Sequence, residues 1–92
     1  MAEIERVKTI PLTVALEDVA EKTTYTQLEL KAPTLSQAEQ FYEKQAASTS
    51  LAAMRLLIAL VSGTRESVLQ PMDFLDFRKC EEYLLSLLTW KP

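Results

Sequence analysis

The chain has no histidine, one cysteine and one glycine among its 92 residues, and these shortages close off much of the usual chemistry. Without histidine, the common zinc sites lose their standard ligand and the common nucleophile–base pairs lose their base. A single cysteine, Cys80, excludes an internal disulfide framework and fits a reduced, cytosolic protein. The net charge of -3, with Lys and Arg scattered along the chain, provides no basic patch for phosphates, so nucleic acid is not expected as a partner. The longest apolar run breaks at Ser62-Gly63, well short of the roughly 20 residues that span a bilayer, so no membrane is expected either. The beginning, Met1-Ala-Glu-Ile-Glu-Arg-Val-Lys8, lacks the apolar stretch of an export signal, which leaves the cytoplasm as the expected location. Neither a cofactor nor a metal is expected, and catalysis is not expected.

What is present is an apolar segment, Leu51-Ala-Ala-Met-Arg-Leu-Leu-Ile-Ala-Leu-Val61, around which the rest is arranged. Leu51, Met54, Ile58 and Val61 share one face at helical spacing, Leu57 widens it, and Leu56 and Leu60 lie well round from it. Only Arg55 supplies charge. A helix apolar over most of its circumference belongs in a core or an oligomer interface. Ser50 is the expected N-cap, and the chain's only glycine, Gly63, is placed to end the helix in the left-handed conformation.

The expected fold class is α+β: a mainly α-helical small domain with an N-terminal two-stranded β-hairpin followed by three main helices. One domain covers 1–92, with 1–6 frayed, a hairpin over 7–31 and a helical part over 34–90. Ile10, Leu12, Val14 and Leu16 alternate with polar or small residues as in a half-buried strand, and Pro11 confines that strand to an edge or a position facing away from its partner. Residues 17–22 are expected as a loop. Thr24, Thr26, Leu28 and Leu30 then form one face of a second strand. After Pro33, Thr34 or Ser36 can cap a helix whose inner face holds Leu35, Ala38, Phe41, Tyr42 and Ala46. Thr64 can start one short turn through Val68 and Leu69 before Gln70-Pro71 interrupts it.

Asp73 opens the last helix. Asp73 and Asp76, three residues apart, invite an acid–base or metal reading, but carboxylates in a first helical turn accept unpaired backbone N–H groups and complement the macrodipole. Capping is therefore the expected role of Asp73. Cys80 falls on an apolar flank as a small hydrophobe, against a reactive thiol that would need positive neighbours. Phe77, Leu84, Leu85 and Leu88 form the expected core stripe, while Cys80, Tyr83, Leu87 and Trp90 extend the apolar arc to roughly 220° at helical spacing. One partner surface within so short a chain does not cover that arc. Tyr83, Leu87 and Trp90, with Leu56 and Leu60 on the central helix, are the candidate partner-binding residues, and self-association is expected. For Trp90, core packing remains the alternative.

Three segments carry a family resemblance: the strand ending Ile10-Pro-Leu12, the run Leu28-Glu-Leu-Lys-Ala-Pro-Thr34, and Met72-Asp-Phe-Leu-Asp-Phe77 leading into the terminal amphipathic helix. In this order they resemble the phage tail assembly chaperones of Mu-like contractile-tailed bacteriophages. The resemblance implies a non-enzymatic protein of the bacterial host cytoplasm, absent from the mature virion, that binds the tape measure protein and helps recruit tail tube protein during tail morphogenesis. A small structural or adaptor subunit, retained in the virion or acting as an oligomeric helical interaction protein, is the alternative.

Overall fold

The structure, a computed structural model, describes residues 5–92. Strand β1 (Val7–Asp18) and strand β2 (Thr23–Lys31) form an antiparallel hairpin, followed by helices α1 (Leu35–Ala47), α2 (Ser50–Ser62), the single turn α3 (Glu66–Leu69) and α4 (Phe74–Leu88). This is the α+β arrangement read from the change of hydrophobic period at Pro33. The principal contacts of α2 are with α1 and β2, and those of α4 are with β1, so the two long apolar helices are both seated on the hairpin. The core joins Ile10, Leu16, Leu28 and Leu30 of the sheet to Met54, Leu57 and Ile58 of α2 and Leu84 of α4.

The hairpin departs from simple alternation. Strand β1 continues to Asp18, and only residues 19–22 turn, with Lys22 N–H donating to the Val19 carbonyl at 3.3 Å. Lys22 adopts φ 52, in the left-handed region. Pro11 pairs with Gln27 and Leu16 with Tyr25, so residues 12–15 stand opposite the single residue Thr26. Such a bulge removes ladder partners and changes which side of the pair a residue faces. Ile10 and Leu16 are buried while Val14, expected on the same face, is 51% exposed. The expected fraying of 1–6 lies, for 1–4, outside the described residues. The Glu5 carbonyl accepts from the Tyr83 hydroxyl at 2.7 Å and the Arg6 carbonyl from Ala32 N–H at 2.7 Å, so these two residues are held.

Helix ends follow local chemistry with one displacement. Thr34 caps α1 in a reciprocal box with Gln37, and Gly63 ends α2 at φ 73. The cap of α2 is Thr49, whose hydroxyl accepts from Ala52 N–H at 3.0 Å, and Ser50 is the first helical residue. Both hydroxyls are chemically suited to the role, and the extended backbone at Thr49 decides between them. The short turn α3 is preceded by Arg65 without a side-chain cap, and Thr64 is buried instead.

Two expected core faces are corrected. On α1 only Phe41 is buried; Leu35 and Tyr42 are exposed because α2 covers a narrower strip of α1 than the apolar pattern allowed. On α4 the buried face is Asp76, Cys80, Tyr83 and Leu84, whereas Leu85 is exposed and Phe77 and Leu88 are half-buried. The face is turned because Asp76 is fully buried against the bulge. Thr13 N–H lies 3.0 and 2.9 Å from its two carboxylate oxygens, and Val14 N–H lies 3.2 Å from Oδ2. Lys79 Nζ approaches the same group at 3.3 Å. Burial pushes the Asp76 pKa up, but the Thr13 and Val14 amides, the Thr13 hydroxyl and Lys79 together hold it below the ordinary carboxylate value.

Asp73 does cap α4, accepting from Leu75 N–H at 3.2 Å. Replacing it with alanine is expected to cost about 0.5–2 kcal/mol, read from urea titrations, and added magnesium or calcium should not raise the wild-type melting temperature. Asp76 behaves differently. Asp76→Asn should cost about 1.5–3 kcal/mol at neutral pH, since it removes hydrogen bonds to a charged acceptor. The folded-state pKa lies below the unfolded value near ~3.9, so the contribution of Asp76 is complete above that pH and is lost as pH falls through the lowered value. Wild type and variant should therefore converge in stability on acidification; a gap that stays constant to pH 2 would contradict the assignment.

Candidate partner-binding surface

Among the described residues, Cys80, Asp18 and Asp76 are buried, and both carboxylates accept backbone hydrogen bonds. Cys80 is fully buried, and burial first, then the neighbouring Asp76 charge, push its thiol up to about 11 despite the opposing effect of Lys79. A thiol with so little thiolate is a core hydrophobe. Asp18, also buried, accepts from Glu21 N–H at 3.1 Å and pairs with Arg65, fastening the hairpin turn to the segment before α3. Among the described residues, no three Cys, Asp or Glu side chains gather as a metal site, and no helix is long and apolar enough to cross a membrane.

What remains for recognition is apolar surface. Helix α4 is fixed at two points, to β1 by the Asp76 contacts with the bulge and to the residues before β1 by the Tyr83 hydroxyl on the Glu5 carbonyl. Alongside these anchors, Lys8 and Pro11 of β1 and Lys79, Glu82, Leu87 and Trp90 of the α4 side line a cleft of about 620 Å³. Leu87 and Trp90 also line a second cleft of about 230 Å³ with Arg6, Ala32 and Pro33. Trp90 thus lines both depressions and is 54% exposed, so it does not pack in the core. Leu87 is half-buried beside it. Lys8, Lys79, Glu5 and Glu82 give the larger cleft charges of both signs.

The other candidates fall elsewhere. Tyr83 is 7% exposed, so it forms the floor of the larger cleft rather than the projecting flank expected of it. Its ring lies under Lys8 Nζ at 5.8 Å, and its phenol pKa is raised by burial and then by the Glu5 charge. Leu56 and Leu60 are half-buried on α2, where Gln37 of α1 reaches the Leu60 carbonyl at 3.5 Å. They line neither cleft of Trp90. Sequence reasoning missed the exposure of Leu51, Phe74 and Leu75, which are 53%, 50% and 70% exposed. The available signal was the polar flank Arg55 and Arg78 beside Leu51 and Phe74, which a solvent-facing stripe tolerates and a core does not.

A hairpin-and-helix scaffold with two engaged buried carboxylates, a buried thiol and exposed aromatic side chains has the kind of surface that other chains can bind. Neither a curated protein nor a solved structure gives a significant match. One protein family does match, described as phage tail assembly chaperone proteins, E, or 41 or 14, and the match runs over residues 9–89. That interval takes in the hairpin from Thr9 and the helices through the end of α4, and the chain therefore belongs to the family of phage tail assembly chaperone proteins.

Proposed function

We infer that this chain acts without catalysis, by holding amphipathic helices of the tape measure protein during tail assembly and helping to bring tail tube protein to them. The supporting observation is the exposed Trp90 with Leu87 at the junction of two clefts, one of them about 620 Å³. A helix laid along such a depression buries its apolar side chains while polar groups at the rim set its orientation. Trp90 supplies a large apolar area with a donor at its tip, and Leu87 extends the contact. Tyr83 contributes by fixing the cleft floor through its hydrogen bond to Glu5.

The segments Leu28–Thr34 and Met72–Phe77 are the basis for placing the chain among the Mu-like, contractile-tailed branch. The site of action is then the host cytoplasm, with the protein released before the virion is complete. Self-association accompanies this role, since the chain carries more apolar helix surface than its own elements cover. A virion adaptor subunit is the competing reading, and mass spectrometry of purified particles separates the two: an assembly chaperone is absent from them.

The direct test is co-purification of the tape measure protein with wild type and with Leu87→Ser/Trp90→Ala. The double variant is expected to weaken capture by more than about 1 kcal/mol while keeping its fold. Trp90→Ala alone, at an exposed position, controls for damage at half-buried Leu87. A wild type that captures no tape measure helix refutes the proposal.

A further inference from the structure

Strand β1 has a neighbour on one side only, since the sheet of the described residues consists of β1 and β2. Which of its backbone groups face the open side follows from the register. The Arg6 carbonyl accepts from Ala32 N–H at 2.7 Å, so the Arg6 main chain faces β2. With Val7 opposite Lys31, alternation turns the main-chain groups of Lys8 and Ile10 the same way. The amides of Val7 and Thr9 and the carbonyls of Val7, Thr9 and Pro11 therefore point outward. Pro11 has no N–H to leave idle there, which is why the strand tolerates it.

Helix α4 engages the groups on either side of this stretch. Tyr83 donates to the Glu5 carbonyl at one end, and Asp76 accepts from Thr13 and Val14 N–H at the other. Between them lies the cleft of about 620 Å³, with Thr9 and Pro11 on one wall and Lys79, Glu82 and Ser86 of α4 on the other. An open strand edge is a template for a further strand. The open stretch over residues 7–11 is about 17 Å long, the length of an ordinary strand. Strand β2 has an outer edge too, but it carries Glu29 and Lys31, charges of the kind that blunt an edge, and the principal contacts of α4 are with β1.

We propose that the larger cleft takes an extended segment of a partner chain, added as a strand to the outer edge of β1 and covered by α4. Its main chain bonds the outward groups of Val7, Thr9 and Pro11, and every second side chain points to α4. The one that reaches Leu87 and Trp90 is apolar. The next meets Lys8 and Glu82, which are exposed, and among the described residues neither joins an ion pair, so it is polar. A second copy of this chain is the wrong occupant. Its β1 edge lies beside its own α4, and two helices about 10 Å across do not fit over adjacent strands about 4.8 Å apart. The proposal concerns the β1 side of the larger cleft and does not rest on the partner being the tape measure protein; a helix held at Trp90 lies toward the smaller cleft.

Trp90 is the chain's only tryptophan and lines the cleft, so its fluorescence reports occupancy. The probes are acetylated, amidated heptapeptides in which every second residue is threonine and the others are drawn from leucine, glutamine, lysine and glutamate. Members with leucine at one end and a polar residue in the middle are expected to bind best. The best binder is then N-methylated on one alternate set of residues or on the other. In an added strand one set of amides faces β1 and the other faces away, so methylating the first should weaken binding at least about tenfold and methylating the second should be tolerated. Thr9→Pro removes an outward amide without touching the ladder to β2, and it should weaken the unmodified peptide to a similar extent. The methylated peptides are measured on wild type, so the test stands if Thr9→Pro loses its fold. A library without a binder, equal effects of the two methylated sets, or circular dichroism showing a helical bound peptide would each overturn the proposal. So would a Thr9 amide that a second copy already protects from hydrogen exchange. A wild type that captures no tape measure protein would sink the functional reading and leave these outcomes unchanged.

Discussion

The carboxylate of Asp76 fixes how the two parts of the molecule meet. A strand that inserts residues 12–15 against Thr26 leaves backbone amides without ladder partners, and an unpaired amide near a core is costly. Asp76 reaches across from α4 and accepts from Thr13 and Val14, so a defect in the sheet becomes the attachment point of a helix. Burying a carboxylate would ordinarily raise its pKa; three sets of donors reverse the sign. With Asp76 in place, the helix rotation is set: Cys80 and Leu84 face the core, and Leu85 and Phe74 face out.

The rest of the architecture follows from seating both long helices on one small hairpin. A two-stranded sheet offers little surface, so α2 and α4 share it side by side and a groove remains between them. Helix α1 adds a layer on α2 but contributes one buried side chain, Phe41. In a domain near the lower end of the size range for an independent core, this layout trades burial within the chain for surface available to other chains. The aromatic and leucine side chains left outside line shallow depressions on α1 and between α2 and the start of α4.

That layout also engages the buried acids and the thiol of the described residues. Among the described residues, both buried carboxylates serve backbone amides, Asp76 at the bulge and Asp18 at the hairpin turn, and the thiol of Cys80 is enclosed beside Asp76. The family to which the chain belongs is that of the phage tail assembly chaperone proteins, and exposed apolar side chains on a fixed scaffold are compatible with that role.

The sequence by itself determined what depends on neighbours along the chain. The change from a two-residue to a helical period at Pro33 gave the order of hairpin and helices, and the caps Thr34, Asp73 and Gly63 lay within a turn of the groups they satisfy. The apolar surplus of α2 and α4 was also legible. Only the tertiary structure decided where the surplus points. Asp76 meets amides 62 and 63 residues away, and Tyr83 meets Glu5 at a separation of 78. An i to i+3 pattern at the start of α4 reads equally as a capping carboxylate or as the centre of a buried face, and local spacing contains nothing to distinguish them. Likewise Leu35 and Tyr42 match an inner stripe, but α2 covers only the strip around Phe41. Periodicity assigns residues to a face of a helix; which face is covered depends on partners brought close by the folded chain, and the bulge that selects them leaves no local mark beyond Pro11.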